Sequence, residues 1–87
     1  MCIETLPRRA AAFTSADSTC EEIRGRLPLL VELYNSGYDP TTPEWTANIL
    51  SAEGNDLITL IYGGSTMAPS ATNVTRPYRC VFPLSNK

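Results

Sequence analysis

The chain is 87 residues long, 43% hydrophobic and 18% charged, which allows one domain with a single small core and is too apolar for a disordered tail. A formal net charge of −2, with seven scattered lysines and arginines, excludes the clustered basic face that nucleic acid requires. Histidine is absent, which removes Ser-His and Cys-His nucleophile pairs and imidazole metal ligands from this chain.

Residues 1–12 open on a short β-type stretch, Cys2-Ile3-Glu4-Thr5, stopped by Pro7 and followed by Arg8-Arg9-Ala10-Ala11-Ala12; an edge strand and a linker are predicted. From Thr14 the pattern turns helical. Thr14 with Asp17, and Ser18 with Glu21, stand at capping-box spacing, while Phe13, Ala16, Cys20 and Ile23 recur on one helical face and are expected in the core. Gly25 is the expected terminator. A second short helix is predicted over residues 27–34, opened by Pro28, with Leu30, Leu33 and Tyr34 on one face at i, i+3 and i+4. Leu29 offers no capping oxygen, so burial of the leucines has to hold this helix. Residues 35–43, with Gly37, Asp39, Pro40 and Pro43, read as a surface loop.

The sheet region begins at Trp45-Thr46-Ala47-Asn48-Ile49-Leu50, and Glu53-Gly54-Asn55-Asp56 is a predicted turn. Residues 57–62 carry the strongest strand signal. Leu57, Thr59 and Ile61 face one way and Ile58, Leu60 and Tyr62 the other, so both faces are largely apolar and the strand is expected to be central. Gly63-Gly64 ends it. Residues 64–76, small and polar with Pro69, read as a second loop, and residues 77–82 as a closing strand that carries Cys80.

No apolar run approaches the roughly 20 residues that cross a bilayer, and the N-terminus lacks the basic-then-apolar order of a secretory signal. One domain over residues 1–87 without direct membrane insertion is expected, either cut from a longer surface protein or a mature chain with an added Met1. Gly63-Gly64-Ser65-Thr66 lacks the lysine and spacing of a phosphate loop. The cysteines, separated by 18 and 60 residues, lack the short zinc spacing, so no metal or cofactor is expected. The acidic pairs Glu21/Glu22 and Asp39/Glu44 read as solvated charge, since adjacent helical carboxylates point about 100° apart and the other pair lies in turn-rich sequence. No catalytic residue is expected. Asn73-Val74-Thr75 is a glycosylation sequon, read as the mark of an exposed loop.

In order along the chain stand Cys20, Arg26-Leu27-Pro28, Glu32-Leu33, Trp45-Thr46 and Tyr78-Arg79-Cys80-Val81. From about Phe13 to Phe82 this order resembles the C-type lectin-like domain at the tip of intimin- and invasin-type bacterial adhesins. Leu29 replaces the family's Thr or Ser after Arg-Leu-Pro, and Glu44 stands where an aromatic often precedes Trp-Thr. The resemblance implies an α+β C-type lectin-like fold, two short helices packed on a small, mostly antiparallel sheet. It also implies an internal Cys20–Cys80 disulfide, against the alternative of two buried free thiols. Cys2 is then unpaired or joined to another part of the parent chain. Trp45 becomes a core anchor, and Arg26 a structural residue bonding carbonyls near the helix junction. The Glu-Pro-Asn, Gln-Pro-Asp and Trp-Asn-Asp triplets of calcium-dependent lectins are absent and Asn55-Asp56 is a faint echo, so calcium is no part of the expectation.

The implied function is recognition without chemistry. An extracellular module on a bacterial cell surface would bind a host-cell surface protein or glycan through the loops at 37–43 and 64–76. Tyr38, Asp39, Met67, Asn73 and Arg76 are the candidate binding residues, Met67 and Arg76 because an adaptable apolar side chain and a guanidinium suit interfaces. The alternative is a structural or assembly module of a fibre, pilus or phage appendage that binds the remainder of its own assembly. An enzyme fragment on the wider lectin-like fold is disfavoured by the missing histidine and the lack of a reactive cysteine pair.

Overall fold

A computed structural model describes residues 2–53, 56–64 and 66–83 of the chain. Its elements are β1 (Cys2–Ile3), β2 (Arg8–Ala11), α1 (Phe13–Glu22), α2 (Leu30–Asn35), β3 (Glu44–Glu53), β4 (Asp56–Gly63), β5 (Thr66–Ala71), β6 (Arg76–Tyr78) and β7 (Val81–Phe82). Among the described residues every strand pairing is antiparallel, in three sheets: β1 with β7, β2 with β6, and β3-β4-β5. The chain is thus a small α+β protein with two short helices, antiparallel sheets and the internal Cys20–Cys80 disulfide. The predicted turn at Gly54 and Asn55, the Leu57 side chain and Ser65 lie outside the described residues.

Helix α1 buries Phe13, Ala16 and Cys20, as its periodicity requires, but leaves Ile23 43% exposed. Ile23 falls outside the face because the helix ends at Glu22 and the chain turns through Arg24, which takes the left-handed conformation (φ 66°). The Arg24 and Gly25 amides then return to the carbonyls of Glu21 and Cys20 at 3.0 and 2.8 Å. Gly25 is therefore not the left-handed residue. It is small for another reason: a Cβ there would stand 2.7 Å from the Phe82 ring and the Val81 carbonyl oxygen. The two capping boxes do not form either, since Ala12 is the N-cap and Thr14 and Ser18 lie inside the helix. The Phe13 amide donates instead to the Thr72 carbonyl at 3.3 Å.

Helix α2 starts three residues later than predicted and ends one residue later, with Leu29 at its N-cap. The Glu32 carboxylate accepts the Leu29 amide at 2.8 Å and Asn48 Oδ1 the Leu30 amide at 2.6 Å, so the amides of the N-cap and first helical residue are met by side chains. Leu33 is fully buried, whereas Tyr34 is 69% exposed. A helix of six residues turns little more than one narrow face to the sheet, and Leu33 occupies it. Gly37, with φ 85°, carries the chain out of the helix.

Trp45 is the centre of the core. Its side chain is fully buried, Nε1 donates to the Ala11 carbonyl at 2.7 Å, and its ring meets Phe13 edge-on at 5.7 Å between centroids. Next to it β3 advances four residues, from Trp45 to Ile49, while β4 advances two, from Ile61 to Thr59. The Thr46 hydroxyl closes that bulge by donating to the Leu60 carbonyl at 2.8 Å and accepting the Asn48 amide at 3.2 Å. Strand β4 lies between β3 and β5, the central place read from its two apolar faces.

Three assignments change. Residues 8–11, predicted as linker, form β2, because Arg8 and Ala11 face Tyr78 and Arg76 of β6 and the Ala11 carbonyl receives Trp45. Residues 66–71, predicted as loop, form β5. Their inward positions are Ala68 and Ser70, too small to register as an apolar alternation, and Pro69 is tolerated because β5 is an edge strand. The closing strand at 77–82 is interrupted at Arg79 and Cys80, which turn inward to Glu44 and Cys20.

Candidate recognition surface

The loop that follows α2 and the tip of the β4-β5 hairpin are packed against each other. The Pro40 carbonyl accepts the Gly64 amide at 2.6 Å, and a Cβ on Gly63 would stand 2.6 Å from Pro43 Cα. Beside this contact Tyr62 and Met67 are cross-strand partners, and the Tyr34 ring stands edge-on to Tyr62 at 6.4 Å. Leu30, Val31, Tyr34, Tyr62 and Met67 line a groove of about 420 Å³. Tyr34, Met67 and Val31 are 69%, 61% and 55% exposed. Of the nine large apolar side chains exposed among the described residues, these three border one groove.

Behind the loop lies a second cleft, of about 400 Å³, lined by Pro7, Pro40, Thr41, Thr42 and Pro77, with Glu44 and Arg79 in its wall. Arg79 donates from Nε to Glu44 Oε1 at 2.9 Å and from Nη1 to the Thr5 carbonyl at 2.7 Å, and its guanidinium lies 4.6 Å over the Tyr38 ring. Glu44, read as solvated charge, is therefore buried. Its place at the start of β3 puts it under Arg79, and burial pushes its carboxyl above the ordinary range while Arg79 opposes the shift. Arg79 thereby ties the start of β3 to Thr5 and to the loop that carries Tyr38.

Two further ion pairs fix the frame. Glu4 accepts from Arg8 at 2.7 Å and from the Cys80 amide at 2.8 Å, so the bond from Arg8 holds its carboxyl below the usual range. Arg26 pairs with Glu32 through both nitrogens at 2.7 and 2.8 Å and also reaches the Leu27 carbonyl at 3.3 Å. That bonding fits the structural role read for Arg26 and depresses the Glu32 carboxyl. Among the described residues no group of three His, Cys, Asp or Glu is placed to hold a metal ion.

The structure divides the five candidate binding residues. Tyr38 is half-buried against Arg79, Asp39 is exposed on the loop, and Met67 borders the groove. Asn73 and Arg76 are elsewhere, beyond Ala71, about 13 Å along β5 from Met67. Arg76 donates to Ser70 Oγ at 2.9 Å and lies 5.7 Å over the Trp45 ring, closing the base of the turn that carries Asn73. Sequence reasoning missed Val31 and Tyr34 as surface residues. Their i, i+3 spacing was the available signal, since it puts both on one helical face.

Comparison with protein-family models, with characterised proteins and with solved structures found no match to this chain.

Proposed function

We propose that this protein is a non-catalytic recognition module that works outside the cell. Its groove of Leu30, Val31, Tyr34, Tyr62 and Met67 docks a protein on a host-cell surface. The observation that carries this proposal is the placement of three large, mostly exposed side chains around one groove on a frame pinned by a disulfide and three ion pairs. Tyrosine and methionine are favoured where a rigid surface meets a partner. A glycan needs a row of hydrogen-bonding groups, and this groove offers two phenols on an otherwise apolar lining, which favours protein. The Cys20–Cys80 bond suits an oxidising compartment. The resemblance to the C-type lectin-like tips of intimin- and invasin-type adhesins supports a bacterial cell surface as the location and a host protein as the partner.

The test is saturable binding of the labelled, oxidised domain to host cells. Failure to bind any cell type, together with binding to the rest of its own surface fibre, would replace the receptor with an assembly role.

A further inference from the structure

We infer that the cleft walled by Glu44 and Arg79 is a binding site for an uncharged side-chain carboxamide, that of an asparagine or glutamine in a partner polypeptide. The two side chains keep only 1% and 8% of their exposure, yet their bonding to the frame is incomplete. Arg79 uses Nε on Glu44 Oε1 and Nη1 on the carbonyls of Thr5 and Glu4. Arg79 Nη2 and Glu44 Oε2 have no hydrogen-bond partner among the described residues. The fully buried side-chain oxygen left without one is Thr59 Oγ1, so these two atoms are open to the cleft that their residues line. A buried guanidinium thus keeps one donor for a ligand, and its ion-pair partner keeps one acceptor.

That pair selects the ligand by charge and by hydrogen bonding. The two charges cancel, so a carboxylate would be repelled by Glu44 and an ammonium by Arg79. A carboxamide answers both atoms with one planar group: its oxygen accepts from Arg79 Nη2 and its nitrogen donates to Glu44 Oε2. The rings of Pro7, Pro40 and Pro77 give the cleft, of about 400 Å³, apolar walls for the stem of such a side chain. A sugar also carries neutral donors and acceptors, but its C–H face stacks on an aromatic ring. No aromatic residue is in the lining among the described residues, and Tyr38 already lies under the Arg79 guanidinium at 4.6 Å. A site built on buried polar atoms rejects ligands that cannot pair with them, so a side chain of the same length without the amide should bind poorly. The inference concerns this cleft and does not rest on the groove or on a host receptor.

Titration of the isotope-labelled, oxidised full chain with N-acetylglutamine methylamide tests it, read by NMR at Arg79 Nε–H and at the Thr41 and Thr42 amides, whose residues line the cleft. Saturable shifts are expected at all three, and the methionine and glutamate forms of the same blocked residue should bind roughly tenfold more weakly or not at all. Thr42→Trp, a substitution at an exposed lining position, should abolish the shifts while the urea midpoint holds. No saturable shift, equal binding of the methionine form, or shifts that survive Thr42→Trp would each overturn the site. Saturation by methyl glucoside in place of the glutamine form would overturn it in favour of a sugar. No cell enters this titration, so its failure leaves the proposed receptor standing and a failure to attach to cells leaves the carboxamide site.

Discussion

Arg79 donates to Glu44 across 35 residues of sequence at 2.9 Å, and the two side chains keep 8% and 1% of their exposure. Removing one partner leaves the other charge buried and unpaired, so Glu44→Ala and Arg79→Ala are each expected to cost about 3–5 kcal/mol in urea unfolding. Arg79→Ala should cost the more, because it also releases the Thr5 carbonyl and the Tyr38 ring. Glu44→Leu combined with Arg79→Met should cost less than either alanine change. Losses below about 1 kcal/mol for both alanines would mean that the pair is solvated.

Stability should respond to pH with two opposite signs. Glu4 and Glu32 are held below their ordinary 4.5 by bonds from Arg8 and Arg26, so the folded chain binds fewer protons there than the unfolded one. Their contribution is complete above 4.5 and drains away as pH falls through the lowered values. Glu44 is raised above 4.5 by burial, so its contribution shrinks as pH rises from 4.5 through the raised value. Urea midpoints from pH 3 to 7 should therefore show an acid limb that Glu32→Gln flattens. An unchanged limb in that variant would remove Glu32 from the linkage.

Leu29 is the N-cap of α2 and is 39% exposed. Leu29→Thr supplies the missing acceptor for the first turn and should raise stability by roughly 0.5–1 kcal/mol. A loss instead would show that the leucine side chain is worth more in packing than the cap.

Cys20 and Cys80 close a loop of sequence separation 60. Replacing both by serine should lower stability by about 4 kcal/mol on loop entropy, visible as a large fall in Tm. Cys2, free and exposed on β1, should be alkylated in the native protein without effect on folding. A dominant Cys2–Cys20 or Cys2–Cys80 peptide on the non-reducing map would contradict this pairing.

Trp45, the cysteine pair and central β4 could be read from the chain because each stands out locally, as a motif or as a run of apolar residues on both faces. Strand β5 could not, since Ala68 and Ser70 mark its inward face with almost no hydrophobicity. Glu44 looked solvated because its partner lies 35 residues away and no short-range pattern joins them. Tyr34 could not be placed for a different reason: helical spacing puts it near Leu33, but only the packing of α2 on β3 and β4 decides which of the two is covered. The groove joins α2 to the β4-β5 hairpin, and spacing along the chain carries no trace of that meeting.

The most direct measurement is attachment of the oxidised domain to host cells after Tyr34→Ser and Met67→Ser are introduced together. Both side chains are more than half exposed, so the fold and the Cys20–Cys80 bond should survive, which circular dichroism and peptide mapping can verify. Attachment should fall roughly tenfold or more, as for residues at the centre of an interface, while Val74→Ser in the turn after β5 should leave it unchanged. Full attachment by the double variant, with loss in Val74→Ser, would place the binding surface at the turn and contradict the groove.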